Sequence, residues 1–256
     1  MSCLSDSKNK VFIKGANMKK YFWMVFIFLV FFLGGCGKKN PPLPPSKSIP
    51  KEFSFEVKPT EAGFDLIVYL PTETKGGYPL IKISSLIIEK EEISLDSPKA
   101  KPKIYEIKLS PKLHSAGNLY VYHDYQVKHR HRYKYRIKIK KDFLVKTDWF
   151  EFPEYLYWHN PPLFPENISF QVLPEKAVLL TWKKPEKDIE GLSIDYPISY
   201  EIEKISGPKV ESFYVRKEEF FEKLSDVNKT CYRIRSILNF RGTQIPGPKS
   251  PPLCLE

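Results

Sequence analysis

Glycine is scarce in this 256-residue chain, with 12 copies, and there are only 4 cysteines. So little glycine leaves no material for the glycine-rich loops that cradle nucleotide phosphates. Four cysteines in a chain of this length exclude a small scaffold stapled by a disulfide framework. Disorder is excluded as well, because 42% of the residues are apolar, enough for one large core or two of about 100 residues each. Also missing are a nucleophile triad, a paired-carboxylate motif, a phosphate loop and a metal signature at recognisable spacing. The sequence therefore predicts a protein that is not an enzyme, with no catalytic residue, no cofactor and no metal. What it has in quantity is proline, 23 copies, and aromatics at 14%, a balance that favours strands and stiff turns over long helices.

The formal charge of +11 has meaning only once the processed chain is defined. Met18, Lys19 and Lys20 precede an uncharged run at 21–33, followed by Gly34, Gly35 and Cys36. As a helix that run reaches about 20 Å, against the roughly 30 Å of hydrocarbon that a span must cross. Residues 1–35 thus read as a signal peptide, with Met18 the favoured start. Leu33-Gly34-Gly35-Cys36 resembles a bacterial lipobox. The resemblance implies cleavage before Cys36, a diacylglyceryl group on its sulfur, and a membrane anchor of several acyl chains. It also implies a cell-envelope location. Gly37 stands where lipoproteins retained in the inner membrane carry Asp, which favours the outer membrane. The processed chain has 36 basic against 29 acidic residues, or +7. Residues 36–52 hold five prolines and four lysines and read as an extended, polyproline-rich tether.

Beyond the tether the sequence repeats. Pro50-Lys51-Glu52-Phe53-Ser54-Phe55-Glu56-Val57 matches Pro165-Glu166-Asn167-Ile168-Ser169-Phe170-Gln171-Val172 at an offset of 115. At 114, Phe64, Leu66, Val68 and Pro71 fall on Val178, Leu180, Trp182 and Pro185, and Leu86, Ile88, Glu89 and Lys90 on Tyr200, Ile202, Glu203 and Lys204. Tyr135-Arg136-Ile137 meets Tyr232-Arg233-Ile234 at 97, so the first copy has 17 extra residues between Glu91 and Lys134. Each copy alternates with period two, the pattern of half-buried antiparallel strands, and prolines punctuate the strands. The expected fold is all-β: two tandem immunoglobulin-like antiparallel β-sandwiches, at 53–158 and 161–256. Both copies resemble fibronectin type III domains, the second most closely. There Val178 to Pro185, the Tyr200 strand and Tyr232-Arg233-Ile234-Arg235 stand where that family has its B, C and F strands. In the first copy Val68 replaces the tryptophan, and Tyr133 stands at the family's tyrosine corner. Thr230 holds that place in the second.

Cys231 and Cys254 are symmetric about the pair Gly242 and Thr243, which would centre a hairpin there and bring the two thiols face to face. An oxidising envelope permits the bond; a slipped register would leave two free thiols.

Lys128, Arg130, Arg132, Lys134, Arg136, Lys138 and Lys140 occupy every second position. A strand here displays a row of cations on one face, but at about 3.3 Å per residue the full row exceeds a sandwich strand, so its early part is expected in a loop. The row either meets an anionic ligand through Lys134, Arg136 and Lys138 or is a solvated face paired with Glu89 and Glu91. His123, His129 and His131 cluster with Asp124 alone as a nearby acid, which completes no metal-ligand set. Phe150, Phe152, Tyr155, Tyr157 and Trp158 run among prolines where the two copies join, and read as an aromatic, stiff linker. Tyr155, Tyr157 and Trp158 are the candidate platform for a carbohydrate.

Together these features point to a lipid-anchored envelope protein whose tandem sandwiches bind or scaffold another envelope protein. The alternative is a binding module for anionic glycan or lipopolysaccharide on the basic face of the first copy. Nucleic acid is not an expected partner.

Overall fold

The computed structural model describes residues 44–112, 118–174, 176–223 and 230–255. Apart from one turn of helix, α1 (Pro45–Ser48), the regular structure is strand. The first sandwich contains β1 (Ser54–Pro59), β2 (Phe64–Tyr69), β3 (Ser85–Ser94), β4 (Lys103–Leu109), β5 (Leu119–Asp124), β6 (His131–Lys140), β7 (Phe150–Glu151) and β8 (Leu156–Trp158). The second contains β9 (Glu166–Leu173), β10 (Ala177–Lys183), β11 (Ile198–Ser206), β12 (Lys209–Val215), β13 (Glu219–Lys223), β14 (Thr230–Phe240), β15 (Thr243–Lys249) and β16 (Leu253–Cys254). One sheet of the first has the order β1-β2-β5, and the other runs β4-β3-β6-β7 with β8 also on β6. The second repeats this as β9-β10-β13 and β12-β11-β14-β15, with β16 on β14. Every pairing is antiparallel, and the three-plus-four division is that of a fibronectin type III-like sandwich.

Alternation builds both cores. Along β2, Phe64, Leu66 and Val68 are fully buried, and along β6 Tyr133, Tyr135, Ile137 and Ile139 are, while the residues between them turn outward. Each such side chain contributes about 1.5–3 kcal/mol by leaving water. The repeat seen in sequence is a repeat of strands: β1 with β9, β2 with β10, β3 with β11 and β6 with β14. The extra length of the first copy is divided mainly between two connections, 95–102 against 207–208 and 110–118 against 216–218.

Each core also holds a lysine, a carboxylate and a tyrosine at equivalent positions. Lys90 Nζ lies 2.6 Å from Asp124 Oδ2, which accepts from Tyr135 OH at 2.7 Å. Lys204 Nζ lies 2.6 Å from Glu222 Oε1, whose other oxygen accepts from Tyr232 OH at 2.9 Å. The backbone N–H of Lys128 donates to Tyr133 OH at 2.7 Å, which pins the corner ahead of β6.

Three expectations need correction. The aromatic segment is no linker: Phe150 pairs with Ile137 and Trp158 with His131, so β7 and β8 are the last strand of the first sandwich, in two pieces. Pro153 falls in the break, and each piece is too short to show a period. The described part of the tether, 44–52, does not hang free. Gly76 N–H donates to the Lys47 carbonyl, Lys75 N–H to Ile49, and Lys51 N–H to Glu73, so the segment is bound to the turn after β2. Its prolines cannot donate, but Lys51 supplies an N–H and Lys47 and Ile49 supply carbonyls to these bonds. The β14–β15 turn is centred on Arg241 and Gly242, one step earlier than the cysteine midpoint, with Phe240 opposite Thr243. A register shift between Arg235 and Ile237 then helps carry Cys231 to its place opposite Cys254.

The binding of 49–51 has a counterpart in the second sandwich. There Ile189 N–H donates to Pro161, Leu163 N–H to the Lys187 carbonyl, and Gly191 N–H to Asp188, matching Lys75, Lys51 and Gly77 in the first. Gly77 and Gly191 both close their turns at positive φ, 77° and 83°, which glycine adopts at little cost. The chain entering each sandwich is thus gripped by the turn that follows its second strand. At the joint the grip is reinforced. The core of the first sandwich continues into Ile194, Leu238, Phe240 and Ile245 of the second. Gly247 approaches so close that a Cβ would stand 2.2 Å from the Pro162 carbonyl oxygen. Among the described residues no helix is long and apolar enough to cross a membrane.

Candidate functional site

The outer face of β6 carries Arg132, Lys134, Arg136, Lys138 and Lys140, with Lys128 and Arg130 ahead of the strand. Acids meet most of this row. Arg136 is held by Glu89, with Nε to Oε1 at 2.7 Å and Nη2 donating to Oε2 at 2.9 Å, and by Glu151 at 3.8 Å. Its hydrogen bond to Glu89 raises the Arg136 pKa against a smaller opposing effect of burial. Lys134 reaches Glu151 at 3.2 Å, Arg130 reaches Asp96 at 2.8 Å and Lys128 reaches Glu92 at 2.7 Å. Glu91 stands opposite Lys134 on β3.

Two aromatic rings lie over the same row. Arg132 and Lys134 sit 4.7 and 5.5 Å from the centre of the Tyr155 ring, and Arg136 and Lys138 sit 4.6 and 4.0 Å from that of Trp149. These are cation–π distances. The cations form a ladder with aromatic rungs and acidic sides. Arg132, Lys138 and Lys140 have no acidic ion-pair partner among the described residues; Lys138 and Lys108 flank Ile87 of β3 from either side, and Lys140 is the next outward residue.

The proposed aromatic platform does not assemble. Trp158 is buried and packs edge-on against Phe64 at 5.3 Å, while Tyr155 is exposed and Tyr157 half-buried with Arg241 near its face. Inward and outward residues alternate here, so Tyr155 and Tyr157 face outward while Leu156 and Trp158 face the core, and the three aromatic rings cannot share one face. Cys231 and Cys254 are joined in a disulfide with an S–S distance of 2.03 Å, on the outward side of β14 and β16. Cys36 lies outside the described residues.

The histidines separate. His123 Nδ1 is 2.7 Å from Asp65 Oδ1, and His131 Nδ1 is 2.8 Å from the His129 carbonyl oxygen. His129 instead turns to the joint, where its ring meets that of His159 at 4.2 Å. Burial lowers the His129 pKa, as do His159 and Arg130, while Asp188 and Glu190 oppose them. His159 is buried against Tyr196 and Phe240. Asn160 Nδ2 donates to Glu190 Oε2 at 3.0 Å, and Tyr157 N–H donates to Thr243 Oγ1 at 2.9 Å. Sequence reasoning passed over His159 and Asp188, which lie 30 and 59 positions from His129. The duplicated turn marks Asp188 alone, as the counterpart of Thr74 at the offset of 114, and carries no signal for His159.

No protein-family model matches the chain, and no curated protein does. Among solved structures, the crystal structure of the chicken CNTN1 FN1-FN3 domains is similar, with a TM-score of 0.43 and 13% identity over 86% of this chain and 73% of that one. Strand order and register, rather than that likeness, define the two sandwiches.

Proposed function

We propose that this chain is a non-catalytic scaffold of the cell envelope, held to a membrane through lipid on Cys36, whose paired sandwiches bind another envelope protein. The observation that supports this reading best is the joint. A shared apolar core and a backbone grip hold the two sandwiches as one body, and a body of fixed geometry suits the holding of partners at set positions. The lipobox at 33–36 supplies the anchor. Crosslinking in intact cells followed by mass spectrometry tests both parts. The expected result is one recurrent envelope protein joined to the sandwiches, and acyl mass on Cys36 that disappears in Cys36→Ser together with membrane retention. A chain that crosslinks to nothing above background, or an unmodified Cys36, overturns the reading.

A second reading, binding of anionic glycan or lipopolysaccharide, draws on Lys108, Lys138 and Lys140, the end of the basic face that acids leave uncompensated among the described residues. It expects salt-sensitive binding to lipopolysaccharide that Lys138→Glu abolishes. Binding that is indifferent to salt and to this substitution rejects it.

A further inference from the structure

The turns that grip the entering chain use different side chains for one task. In the first sandwich Thr74 Oγ1 accepts from the N–H of Tyr78 at 3.3 Å. In the second Asp188 Oδ1 accepts from the N–H of Glu190 and of Leu192, each at 2.9 Å. Both residues are buried, with 2% and 1% exposure. One oxygen suffices for the grip, and Thr74 supplies it without a charge. Asp188 brings a second oxygen, Oδ2, which is buried and has no hydrogen-bond partner. An ionised oxygen in that position is costly unless something else compensates it.

Two imidazoles share its surroundings. A ring nitrogen from each of His129 and His159 and a carboxylate oxygen of Asp188 all lie within 4.8 Å of one another. His159 Nδ1 is 2.9 Å from the Asn160 carbonyl oxygen. A carbonyl only accepts, so Nδ1 carries the proton and Nε2 keeps a free lone pair, the arrangement found in histidine ligands oriented by an outer partner. The contact that competes for His129, from the Asn160 N–H to Nδ1, is long at 3.4 Å.

We propose that His129, His159 and Asp188 form a binding site for a divalent transition cation of the zinc class at the joint between the two sandwiches. Imidazole nitrogens with one carboxylate suit Zn²⁺ and Co²⁺, whereas Ca²⁺ and Mg²⁺ prefer oxygen ligands throughout. Two donors on one tetrahedral zinc stand about 3.4 Å apart, so side-chain rotation of modest size closes this set on an ion. Three protein ligands leave the fourth position to water. His129 belongs to the first sandwich, His159 to the connection and Asp188 to the second sandwich, so the ion cross-links all three. The inference is independent of which partner the scaffold holds.

The test titrates the full-length chain, stripped with a chelator, with Co²⁺ and then Zn²⁺. The expected result is one equivalent bound, with a visible cobalt spectrum of tetrahedral intensity that zinc displaces. Asp188→Thr copies Thr74 and keeps the backbone grip, and it should weaken zinc binding at least tenfold. His129→Gln, at a half-buried position that tolerates a polar side chain, should do the same, while His123→Gln changes nothing. Binding of less than one equivalent, an octahedral cobalt spectrum, or an affinity unaltered in both Asp188→Thr and His129→Gln overturns the proposal.

Discussion

In the first sandwich Lys90 and Asp124 meet at 3% and 2% side-chain exposure, whereas Lys204 and Glu222, at the same places in the second, keep 14% and 17%. The shorter carboxylate draws its lysine inward, where Lys90 also donates to the Gln126 carbonyl and Asp124 accepts from the Gln126 N–H. The longer glutamate reaches toward the surface. A second contrast lies on the outer faces. Lys134, whose ammonium lies over the Tyr155 ring in the first sandwich, corresponds at the offset of 97 to Cys231, which the second sandwich joins to Cys254. The lesson is that duplication conserves the location of a cross-link and leaves its chemistry free.

The sharpest way to test the first contrast is to delete one lysine at a time. Lys90→Met strands a buried carboxylate and is expected to lower unfolding free energy by about 3–5 kcal/mol. Lys204→Met is expected to lower it by about 1 kcal/mol, because water reaches Glu222 and screens the loss. Equal losses in urea denaturation would show that burial does not set the worth of the two pairs. Next in size is the disulfide. Its 23-residue separation implies about 3 kcal/mol from loop-closure entropy. Cys231→Ser with Cys254→Ser should therefore lower the stability of the second sandwich by that amount, measured in the same denaturant series.

Alkaline titration reaches the tyrosines of both copies. Burial, above all, raises the pKa of Tyr133 and Tyr135 in one sandwich and of Tyr200 and Tyr232 in the other. The folded chain therefore holds these protons more firmly than the unfolded chain does. Stability is intact below about pH 10 and falls above it, by about 1.4 kcal/mol per pH unit for each tyrosine. Thermal melting across that range checks the sign, and Tyr135→Phe should flatten the decline. The smallest effect belongs to the aromatic ladder. Tyr155→Ala is expected to cost about 0.5–1 kcal/mol by releasing Arg132 and Lys134, and a loss as large as that of the disulfide would erase the second contrast.

Much of this architecture can be read directly from residue order. Offsets of 115, 114 and 97 locate the paired strands because alternation of Phe64, Leu66 and Val68, or of Tyr133 to Ile139, is forced by the pleat. The symmetry of Cys231 and Cys254 leads to the right pair because the early turn and the later register shift offset each other. Lys90 was legible in principle, since it follows Leu86 and Ile88 in the inward phase and recurs as Lys204 beside recurring Tyr135 and Tyr232. The split last strand was not, because Phe150 with Glu151, and Leu156 to Trp158, are too short to carry a period. Nor could order alone bring His129 to Asp188. Their meeting depends on how two finished sandwiches close on each other, which no local pattern encodes.

The doubled grip has a consequence for construction. The turn at 73–77 receives residues 47–51 as the turn at 187–191 receives 161–163, so the first sandwich has a socket of the same make as the one that joins it to the second. A further module ending in the Trp158 to Pro162 connection, spliced ahead of Lys51, would present to the turn at 73–77 the same backbone groups that the turn at 187–191 holds in the second sandwich.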